Sequence, residues 1–212
     1  MDKSYSELLK PGEKDFWKNF WFYNKKIIIT VALAVSITVF GVSRCMNISS
    51  PDAAVMIITQ NNHAPDVTEK IEKSISSVVE DINEDGKVKI ALVEVAVPKD
   101  SYAELQTSNE IKAINQIVNG DATVVIGEKQ LLEKFFEEDE FFEEATGENL
   151  VINSKGKPVA VDITKSAFAG EMNYDGEDVL CLAVKRIEEN SPVYEMYLQG
   201  KKIVDYILSG IG

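Results

Sequence analysis

The chain has 212 residues, 45% of them hydrophobic and 27% charged, with 12 Gly and 6 Pro. This is a globular composition, and it excludes a collagen-like, low-complexity or wholly disordered chain. A net charge of −13 argues against a nucleic-acid partner, because so acidic a surface repels a phosphate backbone.

Residues 1–26 hold Lys3, Lys10, Lys14, Lys18, Lys25 and Lys26 against four acids, a net charge of +2. Aromatic residues cluster at Phe16-Trp17 and at 20–23, just before the Lys pair, where they suit the interfacial belt of a bilayer. Residues 27–43 (IIITVALAVSITVFGVS) then run for 17 positions without a charge. As a helix they cover roughly 26 Å, just short of a bilayer's hydrocarbon core. A cleaved signal peptide would have a short basic start and a small-x-small cleavage site. Here 26 residues come first and SRCMN follows. Cys45 is preceded by Arg44 rather than by the small residue of a lipoprotein signal. The expectation is an uncleaved signal anchor with residues 1–26 cytoplasmic, since Lys and Arg concentrate on that side. Arg44 adds one positive charge, which leaves −16 for the part beyond it, a domain repelled by anionic lipid.

Residues 44–52 read as a short linker, with an N-glycosylation pattern at Asn47-Ile48-Ser49 that matters only in a eukaryotic secretory host. Beyond it, apolar periodicity switches between strand and helix. Ala53–Thr59 is a continuous apolar run, the sign of a central strand. Pro65 and Asp66 open a helix whose face is Val67, Ile71, Ile75, Val78 and Ile82. A strand follows at 88–97. Asp100 or Ser101 caps the next helix, with Leu105, Ser108, Ile111, Ile114 and Val118 on its apolar face and Asn119-Gly120 at its end. Residues 123–126 form a third strand. Residues 128–145 read as an acidic helix that turns Leu131, Leu132, Phe135, Phe136 and Phe142 to the core. LVI, NSKGK and PVAVDI make a hairpin, and EDVLCLAV another strand in which Cys181 is a small core residue. The last helix starts near Pro192 and buries Met196, Tyr197, Gly200, Ile203, Val204, Ile207 and Leu208. Helices of this length between strands imply right-handed crossovers between parallel neighbours. Residues 53–212 therefore read as one α/β three-layer sandwich with a mainly parallel sheet, preceded by one transmembrane helix.

Several stretches resemble one lobe of the extracytoplasmic solute-binding proteins of bacterial ABC transporters, the type 2 periplasmic-binding fold. They are NEIKAINQIVNGDATVVIG, LLEKFFEEDEFFEEA, GKPVAVDITKS and DVLCLAVKRIEENSPVYEMYLQGKKIVDYILSG. The layout covers most of residues 53–209. The family inserts a second lobe and clamps ligand between the two. Here the chain from Phe142 to Asp162 leaves no room for one, so the resemblance implies a single lobe on an anchor.

Candidate chemistry is sparse. Asp81, Asn83, Asp85 and Gly86 write the first half of a calcium loop, but its twelfth position is Leu92 instead of the bidentate Glu, so the segment reads as a turn, with weak calcium binding as the alternative. Ligands of parallel α/β sheets bind at the carboxyl ends of strands. That rule selects Gln60, Asn61, Asn62 and His63 after the first strand, Lys99 after the second and Glu128 after the third. There is no G-x-S-x-G, P-loop, H-E-x-x-H or C-x-x-C, and no metal or cofactor is implied. The expectation is a non-enzymatic, membrane-anchored extracytoplasmic module that senses or presents a small ligand. The alternative is an accessory domain that docks an envelope or transporter protein. An enzyme would need His63 to meet a carboxylate.

Overall fold

A computed structural model of the protein describes residues 16–46, 50–98, 103–138 and 140–210. The tail before residue 16, the 47–49 pattern, Lys99 and the expected caps Asp100 and Ser101 lie outside them, as do the side chains of 103–106. The chain divides into two units, residues 1–49 and 50–212.

In the first unit, helix α1 (Phe16–Met46) runs for 31 residues, about 46 Å. Ile27, Ile29, Val31, Leu33, Val35, Ile37 and Val39 are each more than half exposed. Positions two apart project to nearly opposite sides of a helix, so the exposure goes all round. The hydroxyls of Thr30, Ser36 and Thr38 donate to the carbonyls of Lys26, Ala32 and Ala34 at 2.9, 2.8 and 2.9 Å. Among the described residues, no helix is long and apolar enough to cross a membrane. The uncharged stretch of the sequence, 27–43, extends beyond Val39, the last described side chain of α1.

The second unit is α/β. Its elements are β1 (Ala53–Thr59), α2 (Pro65–Ser76), β2 (Ile90–Ala96), α3 (Ala103–Asn119), β3 (Val124–Glu128), α4 (Lys129–Phe136), β4 (Leu150–Ile152), β5 (Pro158–Asp162), α5 (Ala167–Glu171), β6 (Leu180–Val184) and α6 (Tyr194–Ser209). One six-stranded sheet has the order β2-β1-β3-β6-β5-β4. The strand period of two sorts its side chains between two cores. Val55, Ile57, Val124, Ile126, Leu180 and Leu182 pack with Ile71 and Ile75 of α2, Phe168 of α5 and Ile203 and Ile207 of α6. Met56, Ile58, Val125, Cys181 and Ala183 pack with Ala113 and Ile117 of α3 and Leu132, Phe135 and Phe136 of α4. Helices thus cover both faces, as the three-layer reading expects.

The sheet is mixed, not mainly parallel. β1 is parallel to β2 and β3, whereas β3–β6, β6–β5 and β5–β4 are all antiparallel. The crossover argument holds for α2 and α3. It fails afterwards because an eight-residue α4, a hairpin and a five-residue α5 do not carry the chain through a full crossover.

Other departures have local causes. α2 stops at Ser76 and does not reach Ile82. The chain beyond is held by side chains: Gln199 Oε1 accepts from Glu80 N at 3.0 Å, and the fully buried Asp52 accepts from Ile82 N at 2.9 Å and Lys89 N at 2.8 Å. α4 ends after Phe136 instead of near residue 145, yet Phe142 is still buried. It arrives through a bridge to Lys185 and an edge-on contact with Phe136, ring centroids 5.6 Å apart. On α3 the buried face is Ala113 and Ile117, so Ile111, Ile114 and Val118, expected in the core, face outward. In α6, Tyr197, Gly200, Ile203 and Ile207 are buried as expected, with Gln199 in addition, whereas Met196, Val204 and Leu208 are only partly buried.

The α3 assignment predicts that Ile117→Ala lowers the unfolding free energy by about 2–5 kcal/mol through the cavity it leaves. Ile111→Ala changes it by no more than about 0.5 kcal/mol. Urea unfolding of the full chain in detergent micelles measures both, and equal losses would refute the assignment.

Candidate ligand-binding site

β1 hands the chain to α2 on one face of the sheet, and β3 hands it to α4 on the other. Two adjacent parallel strands whose connections leave in opposite directions open a crevice at their carboxyl ends. Gln60 and Glu128, the residues at those two ends, meet across it. Gln60 N donates to Glu128 Oε1 at 3.1 Å and Gln60 Nε2 to Glu128 Oε2 at 2.5 Å. Both carboxyl oxygens are thus engaged by one residue. Glu128 is only 2% exposed. Its approach depends on Gly127, where a Cβ would lie 2.9 Å from Ile58 O.

A cleft of about 210 Å³ lies at this crevice, lined by Thr59, Asn61–Ala64, Val67, Glu128 and Met172–Gly176. The loop after β1 is fixed by its own polar groups: Thr59 Oγ1 donates to Asn61 O at 2.8 Å, and Val97 N to Thr59 O at 2.8 Å. His63 Nδ1 is 3.8 Å from Glu94 Oε1, beyond hydrogen-bond reach, and that oxygen accepts instead from Thr68 Oγ1 at 2.9 Å. The imidazole therefore has a carboxylate neighbour. The lining hydroxyls of Thr59 and Tyr174 both donate to backbone carbonyls, those of Asn61 and Asp178.

The opposite wall was not anticipated from the sequence. Ser166 caps α5 by accepting from Ala169 N at 3.1 Å. The helix ends with Asn173 in the left-handed region (φ 51°), while Asn173 N donates to Gly170 O and Tyr174 N to Ala169 O. That paired closure is the Schellman motif, with Asn in the position usually held by Gly. It brings Tyr174 into the cleft lining. The ring packs so closely on Gly176 that a Cβ there would fall 2.4 Å from the Tyr174 oxygen, and the hydroxyl donates to Asp178 O at 2.9 Å. Asp178 Oδ2 in turn accepts from Gln130 N at 2.8 Å, tying this wall to the start of α4.

Of the sequence candidates, Asn61, Asn62, His63 and Glu128 line the cleft, and Gln60 holds Glu128 in place. Lys99 lies outside the described residues. The Asp81–Gly86 segment is a turn. Asp81 accepts from Asp85 N and Gly86 N at 3.3 and 2.7 Å, Asn83 accepts from Asp85 N, and Glu84 and Gly86 take positive φ. No group of three or more His, Cys, Asp or Glu among the described residues is placed to hold a metal ion.

Several proton affinities are shifted. Burial pushes the Cys181 thiol up to about 12, with Asp162 and Asp178 adding to it and Lys129 opposing. Burial, then the Glu128 carboxylate, hold the Tyr174 hydroxyl well above the ordinary tyrosine value. At the other edge of the sheet, Tyr197 donates to Glu143 Oε1 at 2.6 Å and Lys201 pairs with Glu143 Oε2. Tyr197 is raised by burial and that hydrogen bond. For Lys201 burial acts downward, but the bond and charge of Glu143 outweigh it and the net shift is upward.

All four groups hold a proton more tightly in the folded chain than in the unfolded one. Their stabilising contribution is complete below the ordinary values, the lowest being 9.0 for Cys181, and is lost as pH rises above them. Lys185, lowered by burial, acts the other way. The melting temperature of the full chain is therefore predicted to fall from pH 8 to pH 11; a rise would contradict these assignments.

No family model, curated protein or solved structure matches the chain, so the likeness to solute-binding proteins rests on sequence layout alone.

Proposed function

We propose that the chain is a membrane-anchored, non-enzymatic binding module of a bacterial envelope, with residues 53–212 an extracytoplasmic, solute-binding-like lobe that takes a small ligand in the β1/β3 cleft. The observation that carries this reading is the cleft itself. It sits at the point of the sheet where α/β domains bind ligands, and amide, hydroxyl, imidazole and carboxylate groups line it. Its volume of about 210 Å³ suits a ligand smaller than drug-sized molecules, whose pockets run to several hundred Å³.

Anchoring at 27–43 is supported by the uncharged 17-residue stretch and by the hydroxyls of Thr30, Ser36 and Thr38. Each is satisfied by its own helix backbone, which lipid requires because it offers no partner. The Lys-rich side before it is cytoplasmic in this reading.

A second reading has its own support. Ile111, Ile114 and Val118 form an outward apolar stripe on α3, a surface suited to an envelope or transporter protein.

Two measurements on the full chain test the proposal. Alkaline carbonate should leave the protein in the membrane pellet, and release of the chain would overturn the anchor. In detergent micelles, thermal unfolding against amino acids, sugars, short peptides and Ca²⁺ should give one responsive class. A ligand at 100 times its dissociation constant adds about 2.7 kcal/mol, a rise of several degrees for a domain of this size. A flat panel would overturn the small-ligand reading and favour docking through α3.

A further inference from the structure

We propose that the ligand of the β1/β3 cleft is a small organic cation, an ammonium group set against the Glu128 carboxylate; this rests on the reading of the cleft as a binding site. Glu128 is 2% exposed and lines the cleft, yet the donors on its two oxygens are the neutral amides of Gln60. Neither donor is a cation, so no opposite charge is shown paired with this carboxylate, and a cation brought to it would be attracted in a poorly screened place. The described lining contains no Lys or Arg to compete for it. Its imidazole, His63, sits beside another carboxylate, Glu94. A second acid, Asp175, stands on the facing wall.

The rest of the lining fits the same chemistry. An ammonium has three donors and no acceptor, and Asn61, Asn62 and Asn173, each with an amide oxygen that can accept, are in the same lining. Tyr174, packed on Gly176 and bonded through its hydroxyl to Asp178 O, adds to the lining an aromatic ring, a group that cations favour. A metal ion fits less well, because no three strong ligands converge among the described residues. Anionic ligands face Glu128 and Asp175 with no Lys or Arg among the described lining residues to offset them. A cleft of about 210 Å³ suits a small amine.

The test uses probes of similar length and different charge on the full chain in detergent micelles at constant ionic strength: 1,4-butanediamine and ethanolamine, 1,4-butanediol, and succinate. At tens of millimolar the two amines should raise the melting temperature by several degrees, with no rise from the diol or the dianion. Glu128→Gln should abolish the amine response. Asp175 is exposed, so Asp175→Asn keeps the fold and should weaken the response; it decides the matter if Glu128→Gln does not fold. Absence of an amine response, an equal response to succinate, the diol or Ca²⁺, or a full response retained in Asp175→Asn and in folded Glu128→Gln would overturn the inference. A flat amine result with a response to sugars or peptides in the wider panel would remove the cation and leave the binding module. A flat result in both would remove both.

Discussion

Gln60 and Glu128 join the ends of β1 and β3 at the place where the chain leaves the sheet toward opposite faces. Right-handed crossovers in the order β2-β1-β3 put α2 and α3 on opposite faces, and α4 packs on the α3 face. This divergence sends the 60–64 loop to α2 and Glu128 to α4, and leaves a gap that backbone cannot fill. Gly127 lets β3 lie close to Ile58 at this point, so the carboxylate that follows is drawn into the seam and does not cap α4, whose first turn is capped by Asp178 instead. The cleft, its polarity and its negative charge all follow from this junction.

The antiparallel β6 completes the site. Because it runs against β3, its starting end lies beside the finishing end of β3, with Leu180 opposite Glu128. The segment leading into it, from Asn173 to Asp178, is thereby delivered to the same edge of the sheet. A parallel β6 would place that segment at the far edge and leave the crevice with one wall. The turn geometry of Asn173, the packing of Tyr174 on Gly176 and the bond from Gln130 N to Asp178 then hold the second wall rigidly.

Much of this was legible in the residues. The apolar run at Ala53–Thr59, the NSKGK hairpin and the Phe pair at 135–136 carry unambiguous periodicity, and the rule for strand ends selected four of the lining residues together with Gln60. α3 was misassigned because Ile111, Ile114 and Val118 make a helical stripe that small residues such as Ala113 do not advertise, although it is the small side that fits against the sheet. The direction of β6 was hidden because strand periodicity is the same up or down. The 172–176 wall was hidden with it. Its local signals, a Ser cap at 166 and Asn173 after five helical residues, mark a short helix, but only topology says which edge that helix reaches.

The central claim is that the second unit, residues 50–212, binds through the β1/β3 junction. The most direct measurement is two-dimensional amide NMR of the uniformly ¹⁵N-labelled full chain in micelles, titrated with 1,4-butanediamine. The account predicts saturable shifts concentrated at 60–64, Glu128 and 172–176, with the Gln60 side-chain amide among the largest. Shifts centred elsewhere, for example on the α3 stripe or the Asp81–Gly86 turn, or no saturable shift at all, would contradict it.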